Sequence, residues 1–234
     1  MNALLLAAGM GLRLRPLTDT VPKCLVPIRG RPLLAYWLDL LAQGGIDRVV
    51  VNTHYLSEQV VRFVESSPHR ARVDLVHEDR LLGTGGSVLR HRALLGDGPF
   101  LLAHADNLTR FDVAAFLARH RTRPAGCALT MMTFETRTPE SCGIVEVDAR
   151  GVVVGFEEKP RAPRSRLANG AVYILEPEAV EALAALGKEA PDVSTELLPR
   201  YVGRMCTFHN AIYHRDIGSP EAYAEAQLDS AYQA

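Results

Sequence analysis

Two glycines and three cations crowd the first two dozen residues of the chain. Residues 4–28 read LLLAAGMGLRLRPLTDTVPKCLVPI. An apolar run ends in small residues, and Gly9 and Gly11 then remove Cβ atoms, so that backbone N–H groups can approach an anion closely. Arg13, Arg15 and Lys23 follow. A phosphate chain needs both features: donors for its oxygens and positive charge for the part that leaves. Other glycine patterns fit less well. The dinucleotide-binding fingerprint asks for a third glycine at the helix start and an acidic residue after the second strand, but Leu14 stands at the first place and Asn52-Thr53-His54 at the second. The GxxxxGK[ST] phosphate loop is absent. A plain strand and turn with solvated cations would not need Pro16, Pro22-Lys23 and Pro27 together with the arginines.

A carboxylate stands at a second informative place. Asp106 follows the apolar run Phe100-LLAHA. At the C-terminal end of a parallel strand it is well placed for a ligand in the sheet crevice.

The N-terminal stretch resembles the sugar-phosphate nucleotidyltransferase family, whose signature is approximately GxGxRL-P-T followed by PKP-L-PI; Cys24 stands where a proline is usual. The resemblance covers nearly the whole chain. It implies an enzyme that joins a nucleoside monophosphate to a sugar 1-phosphate and releases pyrophosphate, with an NTP and a sugar 1-phosphate as partners. It also implies that Leu6, Ala8, Gly9, Gly11, Arg13 and Lys23 contact the nucleotide, Arg13 and Lys23 being the catalytic cations. His77-EDRLLGTGGS looks like the family's base-recognition segment, with Glu78 reading the base and Gly83 and Thr84 against it. The family uses the aspartate of an Asn-Gly-Asp segment to hold Mg²⁺; this chain has His104-Ala105-Asp106, and Ala105 narrows the room for a sugar. Asp216, in Arg215-DIGSPEAY, matches the second metal aspartate, and Ser219 is the better cap for the helix that follows. Two carboxylates with phosphates completing the shell suit Mg²⁺. Phe156-EEKP resembles the family's E-K-P motif, in which Glu158 would bond sugar hydroxyls and Lys159 would grip the sugar phosphate that Asp106 also faces. Gly143 and Asn169 match positions lining the sugar pocket; around Asn169 the family commonly has Asn-Ala-Gly, and this chain has Asn-Gly-Ala.

The residue at 78 bears on the base. Guanine presents adjacent N1–H and N2–H₂ donors, which a carboxylate accepts as a charge-assisted pair. Uracil and thymine place one donor between two acceptors, a pattern that suits an amide. Glu78 therefore favours GTP, and the chain looks like the short guanylyltransferases of mannose 1-phosphate and of D-glycero-D-manno-heptose 1-phosphate. It is also similar in length to uridylyltransferases of amino-sugar 1-phosphates, some of which are acidic here, so uridylyl or thymidylyl transfer stays open. A non-catalytic sugar-nucleotide sensor of the same fold would be expected to lack a loop cation or a metal aspartate, and none of the four is missing.

These residues need a frame. Strands are expected at 2–7, 48–53, 73–76, 99–103 and 127–133, with helices at 32–43, 56–65 (Ser57 as cap), 85–95 and 111–121. That alternation predicts an α/β fold with a doubly wound, mostly parallel sheet of the Rossmann-like, nucleotide-diphospho-sugar transferase type. After about residue 135 the pattern becomes β-rich: strands at 143–147, 152–156 and 171–175 around a turn at 148–151, then helices at 177–186 and 220–231. The expectation is one nucleotidyltransferase domain over 1–234, about 1–135 binding nucleotide and about 136–234 the sugar phosphate.

Composition agrees. The 234 residues are 47 % apolar with a formal net charge of −1, which offers no broad basic surface to nucleic acid. No stretch is long enough to span a bilayer, and the first apolar run lacks a basic flank and stops at Gly9, as a buried strand would rather than a signal peptide. Cys24, Cys127, Cys142 and Cys206 are scattered, which fits reduced thiols and a cytoplasmic setting. A homo-oligomer is compatible with all of this.

Overall fold

Apolar residues dominate the first strand: in β1 (Asn2–Leu6) the side chains of Ala3, Leu4 and Leu5 are fully buried. The structure, a computed structural model, describes residues 1–229. After the glycine loop come a two-residue pair, β2 (Pro27–Ile28) with β3 (Arg31–Pro32), and α1 (Leu33–Gln43). Leu34, Trp37, Leu38 and Leu41 recur on one buried face of α1, as helical spacing requires. The β-branched run RVVVNT is β4 (Arg48–Thr53), followed by α2 (Ser57–Glu65) and β5 (Val73–His77). Next are α3 (Gly83–Leu95), β6 (Phe100–His104), β7 (Asn107–Arg110) and α4 (Val113–Arg121). Four strands follow: β8 (Leu129–Glu135), β9 (Gly143–Val147), β10 (Val153–Glu158) and β11 (Leu167–Leu175). The chain ends with α5 (Pro177–Ala184), β12 (Met205–His209), β13 (Tyr213–Asp216) and α6 (Pro220–Leu228). The architecture is α/β, a mostly parallel sheet with flanking helices.

Two compact units share these elements. One comprises Met1–Leu81, Ala103–Val113 and the chain from Ile212. In it β4 lies between β1 and β5, parallel to both, with Asn52 opposite Leu6 on one side and Val76 on the other. Antiparallel pairing of β13 with β7 sets Asp216 opposite Asn107. Trp37 anchors α1 by donating from Nε1 to the Asn107 carbonyl at 2.8 Å. Ile28, Leu33, Leu108, Ile217 and Ala226 close a core cluster under these pieces.

The other unit comprises Leu82–Leu102 and Ala114–Ala211 and is the β-rich one. Its β9 pairs antiparallel with β10 and β11, and β11 antiparallel with β8, while β12 runs parallel to β8. The expected turn at 148–151 forms because Asp148 Oδ1 accepts from the Arg150 and Val152 amides, at 2.9 and 2.8 Å.

Some expectations need correcting. Ser57 does not cap α2: the preceding Leu56 takes a left-handed turn at φ 50°, so Ser57 is already the first helical residue, and no side chain caps that end. β7, β12 and β13 were not expected; NLTR and YHRD are short and polar, without the apolar run that marks a strand. The last helix ends at Leu228, and residues 230–231 of the expected span lie outside the described residues.

His120, on α4, is 1 % exposed. Its Nε2 meets Glu176 at 3.0 Å and its Nδ1 meets the Thr130 hydroxyl at 2.7 Å, while Arg123 pairs with the same Glu176. Burial and then the Arg123 charge hold the imidazole below its ordinary value of 6.5, with Glu176 offsetting part of this. The native state thus keeps His120 neutral where the unfolded chain begins to bind a proton, so stability is full above about pH 6.5 and declines as pH falls below it. Urea titrations at pH 7.5, 6.5 and 5.5 (about those values) should show this decline, and His120→Gln should flatten it; a wild-type-minus-variant difference that does not change with pH would refute the assignment.

Candidate active site

The glycine loop is built around Gly11. Its φ of 63° is left-handed, and a Cβ there would lie 2.9 Å from Thr18 Cγ2 and 3.1 Å from Lys23 Cβ. Its carbonyl accepts from the Leu14 amide at 2.9 Å and the Thr18 hydroxyl at 2.8 Å. Only glycine combines that backbone with that approach. Gly9 is exposed, and a Cβ there would meet nothing within 4 Å, so the fold makes no demand on it.

Lys23 is the centre of the first unit's charges. Its side chain is 6 % exposed, and its ammonium lies 2.8 Å from Asp106 Oδ2 and 3.4 Å from Asp216 Oδ1. Arg13, 70 % exposed, reaches Asp216 Oδ2 at 3.3 Å, whereas Arg15 turns to Asp19 at 3.0 Å. The fold explains the meeting. The Ala105 amide donates to the Leu6 carbonyl at 3.0 Å, which ties Asp106 to the end of β1. Asp216 arrives from β13, held by the Gly218 amide at 2.7 Å. Ser219, not Asp216, caps α6 by accepting from the Ala222 amide at 3.2 Å, as the sequence suggests.

Burial opposes ionisation of Asp106, but the Lys23 charge and then His104 outweigh it and hold the carboxyl below the usual range. His214 is pushed down to about 4, chiefly by burial and despite Asp216 and Asp106 nearby, so it stands neutral beside them. Burial likewise raises the Cys24 thiol to about 12, which leaves it protonated and inert. His104 Nε2 is buried with no hydrogen-bond partner among the described residues. Both carboxylates face one cation, and their donors are hard oxygens, so the pair fits Mg²⁺. Among the described residues no group of three or more His, Cys, Asp or Glu side chains could hold a metal, so phosphate oxygens or water would complete the shell.

Glu78 follows β5 and is 4 % exposed. Its amide donates to the Thr53 carbonyl at 2.9 Å and its carbonyl meets His54 Nδ1 at 2.7 Å. Its Oε1 accepts from Asn52 Nδ2 at 3.1 Å, and Asn52 Oδ1 accepts from the Ala7 amide at 2.6 Å. Asn52 is absent from the sequence-based candidates. The signal was there, since an amide in the buried run RVVVNT must find partners.

In the β-rich unit Gly143 pairs with Glu158 across β9 and β10. A Cβ at 143 would come within 2.8 Å of Glu158 Oε2 and 2.9 Å of the Phe156 ring, so glycine admits the carboxylate. Burial, with Asp192 adding its charge, lifts the Glu158 carboxyl against the pull of Lys159. Lys159 is exposed and left-handed at φ 50°, its amide donating to the Cys142 carbonyl at 3.0 Å. Asn169 donates to the Tyr173 hydroxyl at 2.7 Å and accepts from the Ala171 amide at 3.0 Å, holding Ala171 at φ 52°. A Cβ on the neighbouring Gly170 would sit 2.7 Å from Met132 Cε, the flexible end of that side chain. Gly83 opens α3, and the Thr84 hydroxyl donates to Asp192 at 3.0 Å while accepting from the Val193 amide at 2.7 Å. Tyr173 and Asp192 were not expected here; neither lies in a motif.

The nucleotidyl transferase family profile matches residues 2–233. A mannose-1-phosphate guanylyltransferase of Mycobacterium tuberculosis is 29 % identical over 97 % of this chain and 64 % of its own length. A glucose-1-phosphate thymidylyltransferase of Streptomyces griseus is 35 % identical over 80 % of this chain and 52 % of its own length. The chain thus spans between about half and two-thirds of these curated relatives. The structure of HddC from Yersinia pseudotuberculosis complexed with GMP-PN superposes with a TM-score of 0.80 at 25 % identity, covering 97 % of this chain and 98 % of that one.

The two loop glycines should respond differently to one methyl group. Gly11→Ala forces a left-handed alanine against Thr18 and Lys23 and should cost about 1–2 kcal/mol or more in urea unfolding. Gly9→Ala should stay within about 0.5 kcal/mol of wild type. Equal losses would refute a structural demand at Gly11 alone.

Proposed function

The chain belongs to the nucleotidyl transferase family, and on that premise we propose that it transfers a nucleoside monophosphate from an NTP to a sugar 1-phosphate. The NTP in this reading is GTP and the acceptor mannose 1-phosphate or a heptose 1-phosphate. The observation that carries the proposal is the convergence of Asp106 and Asp216 on the buried Lys23 ammonium, under a loop folded about Gly11.

An oxygen of the sugar phosphate attacks the α-phosphorus, the bond to the bridging oxygen breaks, and pyrophosphate leaves in line. The nucleophile is already ionised near neutral pH, so no general base is required, and catalysis is positioning plus charge neutralisation. Asp106 and Asp216 would hold Mg²⁺, which would supply neutralising charge for the phosphates. Leu6, Ala8, Gly9 and Gly11 present backbone to the nucleotide. Arg13, exposed beside Asp216, offsets charge on the departing pyrophosphate, and Lys23 lies near the α-phosphate. Lys159 holds the incoming phosphate and Glu158 accepts from sugar hydroxyls, in a pocket lined by Gly143 and Asn169.

Glu78 selects the base, with Gly83 and Thr84 against its ring. A carboxylate only accepts, which suits the two adjacent guanine donors as it suits the bond from Asn52. The guanylyltransferase relative and the GMP-PN complex of HddC favour the same base. The thymidylyltransferase relative keeps dTTP or UTP as the second reading. A non-catalytic sensor has less support, because Arg13, Lys23, Asp106 and Asp216 are all present.

Pyrophosphate release from five NTPs across a panel of sugar 1-phosphates tests the proposal. GTP should give the highest kcat/KM, and Asp106→Ala and Asp216→Ala should each lower turnover by about a hundredfold or more with the fold retained. Glu78→Gln should cut GTP use by about ten- to a hundredfold and leave UTP and dTTP use steady or higher. Turnover near normal in both aspartate variants would end the metal assignment, and a parent preference for UTP or dTTP would end the guanine one.

A further inference from the structure

Asn52 occupies a special place among the three parallel strands. It lies near the end of β4, the central one, opposite Leu6 of β1 and Val76 of β5. From there its side chain reaches past both neighbours, to the Ala7 amide just after β1 and to the Glu78 carboxylate just after β5. It is 2 % exposed. We propose that Asn52 is a positioning residue for base selection, fixing both the place and the hydrogen-bonding character of Glu78. The proposal rests on the reading of Glu78 as the base-selecting residue.

The argument is one of hydrogen-bond polarity. A backbone amide can only donate, so the Asn52 atom 2.6 Å from Ala7 N is the oxygen. The amide nitrogen must then face Glu78, and an amide nitrogen only donates. Glu78 Oε1, at 3.1 Å, is therefore held as an acceptor. Polarity passes from main chain to amide to carboxylate, and it ends in a group that calls for donors. A base edge with adjacent N–H groups completes this sequence; an edge with one donor between two acceptors does not. Position follows from the same bonds. Ala7 leads directly into Ala8 and Gly9, so one buried side chain holds the base-reading carboxylate in register with the start of the phosphate loop.

Other residues cannot do both tasks. Leucine would leave the Ala7 amide and the Glu78 carboxylate without this partner in a buried place, and glutamine is too long for the two distances. Aspartate keeps the shape and still accepts from Ala7, but it sets a second carboxylate oxygen against Glu78, and two carboxylates that close must share a proton. The shared proton would take part of the negative charge from Glu78 and so weaken the charge-assisted acceptance from two adjacent base donors.

The test measures kcat/KM for GTP, UTP, dTTP, CTP and ATP in wild type, Asn52→Asp, Glu78→Gln and the double variant. Asn52→Asp should lower the ratio of the preferred nucleotide to the others by about tenfold or more. In the Glu78→Gln background the same change should have little further effect on that ratio, because the group it acts through is already altered. Equal losses with every nucleotide, or full additivity with Glu78→Gln, would reduce Asn52 to a structural role and overturn the proposal. If Asn52→Asp does not fold, Asn52→Ser carries the same comparison, since its hydroxyl can accept from Ala7 but is too short for Glu78. The premise fails separately: Glu78→Gln with unchanged ratios would remove base reading from Glu78 itself, whereas altered ratios there with none in the Asn52 variants would overturn only the role of Asn52.

Discussion

The first unit depends on a single ammonium. Asp106 and Asp216 approach one another closely enough to share Lys23, and two carboxylates so placed would repel without it. Lys23 is itself buried, and an ammonium taken out of water needs carboxylate partners. Three segments far apart in the chain therefore meet at this one charge. The loop must turn at Gly11 to bring in Lys23, the end of β6 must dock on Leu6, and β13 must pair with β7 in the register that puts Asp216 opposite Asn107. Removing Lys23 would leave two carboxylates facing one another, which is more damaging than losing an exposed ion pair such as Arg15–Asp19.

Much of this was legible in the order of residues, and the limits have physical causes. Short runs of apolar and β-branched side chains mark β1, β4, β6 and β8, because strands buried on both faces need them. Lys23, Asp106 and Asp216 stand out through motif context, although the distances that join them belong to the fold. β7 and β13 escaped notice because their partners are each other, across about a hundred residues of chain. Asn52 was read only as a missing acid after the second strand. Its bonds to Ala7 and Glu78 are tertiary, and no spacing rule foretells them.

The two units solve different problems with similar means. In the first, a polar network of main-chain amide, Asn52 and Glu78 is sunk among parallel strands, where each bond is protected from water. In the β-rich unit, small residues and left-handed turns set side chains around β9, β10 and β11, and the hydrogen bonds of Asn169 hold one such turn in place. Neither arrangement has an apolar substitute of equal shape, since each satisfies groups that the backbone must bury.

The pair Gly170-Ala171 carries a consequence for how the chain can drift. Ala171 endures a left-handed backbone that glycine would adopt without strain, while Gly170 sits where a methyl group would strike Met132. The two positions cannot exchange freely. Arriving at the Asn-Ala-Gly order means placing alanine against Met132, whose terminal methyl must swing aside. Position 171 is under the opposite pressure, because glycine there relieves strain at once. Packing thus couples residues 132, 170 and 171, since a side chain at 170 sets where the end of Met132 can lie.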